Sequence, residues 1–141
     1  MGKADDEMHK GLTEIGKNNM KKAFEHFKEA FELRRADYID KVSKNPKSPT
    51  HLLDGMFMTH SLVWLRIAEG YKNKDMDAMM RAKGTMEAAK ITIGPLLAGL
   101  ATWADEKDVG VVKKKAIGLI EATDDLETTV NKSIEALKSS I

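Results

Sequence analysis

The side chains best suited to chemistry in this chain are four histidines, because the chain contains no cysteine. They stand at His9, His26, His51 and His60, and no two of them share a helical face at a spacing of three or four residues. Without cysteine there are no disulfides, thiolate metal sites or thiol nucleophiles. The sequence also lacks a phosphate-binding glycine loop, a nucleophile elbow and a zinc-protease motif. We therefore predict no enzyme activity and no cofactor.

His60 is the histidine that lies in register with the apolar residues of its own segment, four positions after Met56. One interpretation is a core histidine that is hydrogen-bonded to a neighbouring side chain. The alternative is a noncovalent haem ligand, paired with Met20 or Met79 across a helical bundle. His26 lies on the polar side of its helix, and we expect it at the surface.

Methionine is abundant, with nine residues in a chain of 141. Its flexible, polarizable thioether can line an adaptable binding groove or fill gaps in a core. Both interpretations fit the clustering of methionines around the middle of the sequence. The candidate partner-binding residues are Met56, Met58, His60, Trp64, Met79 and Met80.

Helices must position these side chains, because apolar residues recur at intervals of three and four and almost nowhere alternate at two. A helix is predicted from Met20 to about Lys44, since prolines follow at Pro46 and Pro49. Ser48 and Pro49 are predicted as the N-cap and first position of the next helix. That helix runs to about Tyr71 and carries two neighbouring apolar stripes, which predicts a central helix packed on two sides.

A fourth helix is predicted to begin near Met76 and to end or kink at Gly94 and Pro95. A short apolar helix, Leu96 to Trp103, is expected to follow it. The uncharged run from Ile91 to Ala104 is shorter than the roughly 20 residues that cross a bilayer. We interpret this run as a buried segment.

The clearest periodicity lies at the C-terminus, after a break predicted from Asp105 to Gly110. Residues from Val112 to Ile141 step by three or four along one stripe. This stripe predicts a helix of about 30 residues, or roughly 45 Å. We expect it to pack along other long helices of the chain, with pairing to a second copy of itself as the alternative.

These elements predict an all-α, single-domain antiparallel bundle of five or six helices over residues 1–141. Lysine and arginine total 23 against 22 for aspartate and glutamate, so no net field would attract nucleic acid. The first residues lack the basic-then-apolar order of a secretory signal, which favours a cytoplasmic location.

Residues 11–33 resemble a tetratricopeptide repeat, in which small residues let two helices approach closely while one aromatic side chain fills the gap between hairpins. The matching positions are Gly11, the turn Lys17 to Asn19, Ala23, Phe27 and Ala30. Glu14 and Arg35 depart from the family pattern, and a weaker echo covers residues 70–89. The resemblance implies peptide or protein binding on a concave helical surface.

We therefore expect a non-enzymatic adaptor, scaffold or accessory subunit that binds another protein through an apolar helical groove. Self-association through the C-terminal helix stays open. One alternative is a bundle that encloses haem or a small apolar ligand around His60 and the methionines. Another is an amphipathic protein that coats lipid or polymer through the run from Ile91 to Ala104.

Overall fold

The computed structural model describes residues 2–46, 51–102 and 109–140, which form five α-helices and no strand. In chain order the helices are α1 (Lys3–Gly16), α2 (Met20–Lys44), α3 (His51–Asn73), α4 (Met76–Thr102) and α5 (Val109–Ser140). The predicted all-α class is confirmed. The predicted N-cap at Ser48 and first helical position at Pro49 lie outside the described residues, as does most of the predicted break before α5.

The third helix is the centre of the fold. It packs against α2, α4 and α5, whereas α1 packs on α2, and α5 lies along both α3 and α4. Successive helices run antiparallel, as the contacts Asp5–Arg34, Lys41–Asp54 and Lys90–Glu127 show, so the chain builds up as a row of hairpins. The prediction of a central helix packed on more than one side is confirmed.

Two tight turns set the hairpins, and each uses a residue in the left-handed region. Asn18 has φ 58° between α1 and α2, and Lys74 has φ 50° between α3 and α4. The Asn19 side chain accepts a hydrogen bond from the Lys22 amide at 3.4 Å. The Asp75 carboxylate caps the start of α4 in the same way, with bonds of 2.9 and 3.3 Å.

Three groups of buried side chains form the core, and α3 contributes to all of them. The N-terminal cluster comprises Met8, Ala23, Phe27, Ala30, Leu65 and Ala68. The C-terminal cluster comprises Val63, Ile67, Met79, Ala82, Met86, Ala89, Leu126, Val130, Ile134 and Leu137. The end cluster comprises Leu53, Met56, Leu96, Ala116 and Leu119. Trp64 packs against the first two of these clusters, and its ring stacks on Phe27 with centroids 5.7 Å apart.

The α1–α2 hairpin closes through a glycine. A Cβ built on Gly11 would lie only 2.6 Å from Phe27 Cδ1, so the backbone of α1 contacts the aromatic ring directly. Ala23 and Ala30 are fully buried on either side of that ring. In the second hairpin Gly70 lies against Met79 rather than Met86, although Met86 is also buried. The glycine contact therefore lies farther from the turn in the first hairpin than in the second.

The fourth helix continues through Pro95 to Thr102, so Gly94 and Pro95 do not end it and the prediction of a separate helix beginning at Leu96 is wrong. Proline removes one helical hydrogen bond, here the bond to the carbonyl of Ile91. Both Ile91 and Pro95 lie on the exposed side of α4, where water can satisfy that carbonyl. The helix can therefore extend past the proline without leaving a buried polar group unpaired.

The C-terminal helix packs within its own chain. Its stripe is buried at Ala116, Leu119, Thr123, Leu126, Val130, Ile134 and Leu137, against α3 and α4. The predicted intramolecular packing is confirmed over these residues. These buried residues are therefore not available for pairing with a second copy, and self-association through another side of α5 stays a prediction.

Candidate functional site

The most deeply buried histidine joins α3 to α5. His60 is 7 % exposed, and its Nε2 lies 2.9 Å from Thr123 Oγ1. The threonine hydroxyl donates its only proton to the Leu119 carbonyl at 2.7 Å, so it must accept from His60. This arrangement fixes the neutral Nε2–H tautomer. Burial, and then the nearby charge of Arg34, lower the pKa of His60 to about 4.

This geometry matches a core histidine and does not assemble a haem site. The Nε2 atom carries a proton and is engaged with Thr123. Met79 packs against Gly70, ten residues or about 15 Å along α3 from His60. Met20 begins α2, close to where Lys72 at the far end of α3 lies over Phe24. Neither methionine is therefore placed opposite the imidazole.

The six residues predicted as a partner-binding surface do not form one surface. Met56 and Met79 are buried in two different clusters, and His60 is buried between helices. Met58 and Trp64 are half-buried on α3, and Met80 alone is largely exposed, at 46 %. Met56, His60 and Trp64 follow one stripe of α3 at intervals of four, so their shared register reflects packing. The six residues therefore do not line one groove, and a role of any of them in binding a partner stays a prediction.

His26 is not a purely surface imidazole, because it links α1 to α2. Its Nδ1 lies 2.7 Å from Glu7 Oε2, and its side chain is 30 % exposed. The hydrogen bond from His26 holds the pKa of the Glu7 carboxyl below its ordinary value, and Lys10 adds to this effect. Sequence periodicity placed His26 correctly on the polar side, but it could not predict the carboxylate across the hairpin.

Arg34 is a polar anchor that sequence reasoning missed. Its Nη1 donates to the Phe57 carbonyl at 3.0 Å and to Ser61 Oγ at 2.7 Å. Its Nη2 donates to Asp5 at 2.9 Å, and its guanidinium lies 5.3 Å from the centre of the Phe57 ring. A single side chain of α2 therefore ties together α1, α2 and α3. The available signal was a cation set between the apolar residues of α2.

A cleft of about 460 Å³ opens beside Arg34, between the start of α1, the middle of α2 and the first half of α3. Its charged lining residues are Lys3, Asp5, Arg34, Asp37, Asp54 and Lys115. The acids are matched by cations: Asp5 pairs with Arg34, and Lys41 bridges Asp37 at 2.9 Å and Asp54 at 3.4 Å. Within the described residues, no three histidine, aspartate or glutamate side chains converge to hold a metal ion. The cleft therefore resembles a structural ion-pair cluster more than a reaction centre.

The outer face of α4 has a different character. It points away from the core, and it consists of Met80, Gly84, Ala88, Ile91, Pro95 and Ala98, all exposed and all uncharged. Ile91 is 76 % exposed, the highest value among the exposed large apolar side chains of the described residues. From Met80 to Ala98 this face extends about 27 Å. Exposed Glu87, four residues before Ile91, borders this face.

The exposure of Ile91 corrects the interpretation of residues 91–104 as a buried segment, at least over the part whose side chains are described. Leu96 is fully buried, whereas Ile91, Gly94, Pro95 and Ala98 are exposed. The signal for the outer face was present in the spacing of Gly84, Ala88, Ile91, Pro95 and Ala98 by three and four. It was missed because alanine and glycine suit both a core and a surface.

Comparison of the chain with protein-family models, with curated proteins and with solved structures finds no match. None of the helices in the described ranges is long and apolar enough to cross a membrane.

Proposed function

We propose that this chain is a non-enzymatic helical interaction module that binds a helix of a protein partner through the outer face of α4. The observation that carries the proposal is Ile91, a large apolar side chain that is 76 % exposed on the outer face of α4. Large exposed apolar surface is a feature of protein interfaces. Burial of an isoleucine side chain is worth about 1.5–3 kcal/mol.

The residues around Ile91 suit a helical partner. Gly84 and Gly94 have open space where a Cβ would stand, and Ala88 and Ala98 add only a methyl group. Small residues let a second helix approach closely, at the short end of the usual 8–10 Å between helix axes. Met80 adds a flexible side chain at one end of the face that can adapt to its partner.

The resemblance of residues 11–33 to a tetratricopeptide repeat supports the same class of function. In that family, stacked helical hairpins present surfaces that bind peptides and proteins. The proposal is supported by the contact of Gly11 with Phe27 and by the burial of Ala23 and Ala30 in the α1–α2 hairpin. We propose an adaptor, scaffold or accessory subunit, acting inside the cell.

Lipid coating is less well supported than protein binding. An interfacial helix normally presents several bulky residues such as tryptophan, phenylalanine or leucine on one face and basic residues on the other. The described outer face of α4 offers one isoleucine and one methionine among glycine, alanine and proline. Lys90, beside this face, is already paired with Glu127 at 2.6 Å.

The test is a substitution on the outer face, compared with a matched one elsewhere. Ile91→Glu places a charge at the centre of the proposed interface, and Ile39→Glu makes the same change at an isoleucine of α2 that is 49 % exposed. We expect Ile91→Glu to weaken capture of a protein partner from the native source by tenfold or more, because it removes apolar burial and adds an unpaired charge.

Both variants should keep the helical circular-dichroism spectrum of the parent chain, since both sites are exposed. Equal capture by the parent, Ile91→Glu and Ile39→Glu would contradict the proposal. Equal losses in the two variants would place the interface somewhere other than α4.

A further inference from the structure

The packing of α5 changes at Thr123, the residue that is hydrogen-bonded to His60. In residues 113–123, the proximal stretch, the apolar side chains buried in the end cluster are Ala116 and Leu119, and Ile120 is partly buried. In residues 124–140, the distal stretch, the apolar side chains buried in the C-terminal cluster are Leu126, Val130, Ile134 and Leu137. The distal stretch therefore has the larger apolar contact with the core.

The local sequence of the proximal stretch adds little stability to its helix. Gly118 is exposed with open space around it, and a glycine inside a helix is less favourable than an alanine. Ile117 is 53 % exposed, so this large side chain contributes little to the core. Segments with little apolar burial open at a lower free energy than the core does.

A buried polar contact joins the proximal stretch to α3. His60 donates from Nε2 to Thr123, and Thr123 donates its own proton to the Leu119 carbonyl, one turn earlier in α5. A second proton on the imidazole would place a positive charge between α3 and α5, at a residue that is only 7 % exposed. Burial of such a charge is costly unless an opposite charge or a hydrogen-bond acceptor compensates it.

The charged groups around His60 do not provide that compensation. Arg34 of α2 binds Ser61, the next residue of α3, and its positive charge acts on the imidazole. Asp5 of α1 is paired with Arg34. On α3 itself, Asp54 is paired with Lys41 and Glu69 with Arg66. The nearest charged residues of α4 and α5 along the chain are exposed: Glu87, Lys90, Glu121 and Asp124. Within the described ranges, no carboxylate is paired with His60.

We propose that protonation of His60 releases the proximal stretch from α3 while the distal stretch stays packed, and that the end cluster then becomes accessible to solvent. This conformational change does not depend on the proposed binding of a partner to α4. In the open form the imidazole lies in water, where its ordinary pKa is 6.5, whereas burial lowers the pKa to about 4 in the closed form. Between these values each unit of lower pH favours opening by about tenfold.

Amide hydrogen exchange at pH 7 and pH 4.5 tests the proposal, with each rate divided by the intrinsic rate at that pH. We expect the protection of residues 117–123 to fall by about tenfold or more relative to that of residues 126–137. In His60→Gln, whose amide can donate to Thr123 but takes up no proton, the two stretches should keep the same ratio at both pH values. His9→Gln changes an exposed histidine of α1 and should behave like the parent chain.

Thiol labelling gives a second measurement, because the chain has no cysteine of its own. Ala116→Cys and Ser133→Cys each place one thiol at a buried position, the first in the proximal stretch and the second in the distal stretch. We expect the reaction of Ala116→Cys with dithiodipyridine to gain about tenfold on that of Ser133→Cys between pH 7 and pH 4.5, after correction for a free cysteine peptide.

Three results would overturn the inference. In the first, the proximal and distal stretches of the parent chain lose amide protection equally, which would indicate general acid destabilisation. In the second, His60→Gln shows the same selective loss as the parent. In the third, the two buried thiols gain reactivity equally. The amide exchange of the parent chain decides the question even if a variant fails to fold.

Discussion

At the scale of single residues, two polar side chains connect different sets of helices. His60 joins α3 to α5 as a neutral donor to Thr123, and Arg34 joins α1, α2 and α3 as a charged donor to the Phe57 carbonyl and to Asp5. Burial lowers the pKa of His60 from its ordinary value of 6.5 to about 4 in the folded chain. The α3–α5 contact is therefore the acid-sensitive one.

The sign of this effect follows from the two pKa values of His60. Between pH 6.5 and pH 4 the unfolded chain binds a proton at this position and the folded chain does not. The free energy of unfolding should therefore fall as pH is lowered through that window, by up to about 3 kcal/mol. Urea unfolding of the parent at pH 7 and pH 4.5 should show the loss, and His60→Gln should show less of it.

His9→Gln is the matched control for this comparison, since His9 is an exposed histidine on α1. The lowered pKa of Glu7 adds a loss only near and below its ordinary value of 4.5, and both variants share that loss. If His60→Gln and His9→Gln lost equal stability between the two pH values, the buried histidine would not be the acid-sensitive group.

At the scale of helices, the surroundings of two glycines predict opposite effects on stability for the same substitution to alanine. Gly11→Ala would drive a methyl group into the ring of Phe27, whereas Gly118 lies exposed in α5 with open space around it. We expect Gly11→Ala to destabilise the fold by about 1–3 kcal/mol through overpacking. Gly118→Ala should stabilise it by about 0.5–1 kcal/mol through helix propensity. Thermal unfolding of the two variants beside the parent measures both, and a stabilising Gly11→Ala would mean that the hairpin is looser than described.

The helices themselves could be predicted well from the sequence, and the reasons are local. The limits of α2 follow from Asn19 and from Pro46, and the stripe of α5 follows from unbroken spacing of apolar residues. The continuation of α4 through Pro95 could not be predicted, because the effect of a proline on a helix depends on which side of the helix faces solvent. The side of α4 that faces solvent depends on how α3 and α5 pack against it, and no local sequence pattern predicts that packing.

The candidate site was harder to predict than the fold, for a related reason. Met79 and Met80 are adjacent in sequence, yet one is fully buried and the other is 46 % exposed. Methionine, alanine and glycine suit both environments, so their presence does not indicate which face of α4 meets the core. His60 is the candidate residue whose burial and hydrogen bonding in the core were both predicted. The prediction was possible because His60 lies in one clear apolar stripe of α3.

At the scale of the whole molecule, α3 makes the three core clusters into one cooperative unit. It contributes Leu65 to the N-terminal cluster, Ile67 to the C-terminal cluster and Met56 to the end cluster. Disruption of either terminal hairpin therefore exposes apolar surface of the same central helix. This sharing favours a single unfolding transition over separate melting of the two ends.

Two truncations test that coupling. Phe27→Ala in the N-terminal cluster and Leu126→Ala in the C-terminal cluster should each destabilise by about 2–5 kcal/mol. In both variants the urea midpoint from circular dichroism should coincide with the midpoint from tryptophan fluorescence, which includes Trp64 between the clusters. Two resolved transitions, with only one of them moved by each substitution, would show that the ends unfold independently.

The contact between Gly11 and Phe27 also has a consequence in time. The aromatic ring is held between the α1 backbone on one side and the Trp64 ring on the other. A half-turn of the phenyl group about its own axis sweeps out space that neither neighbour leaves free. We therefore expect the ring to turn over only when α1 momentarily separates from α2, and the ring-flip rate measured by NMR to report how often that hairpin opens.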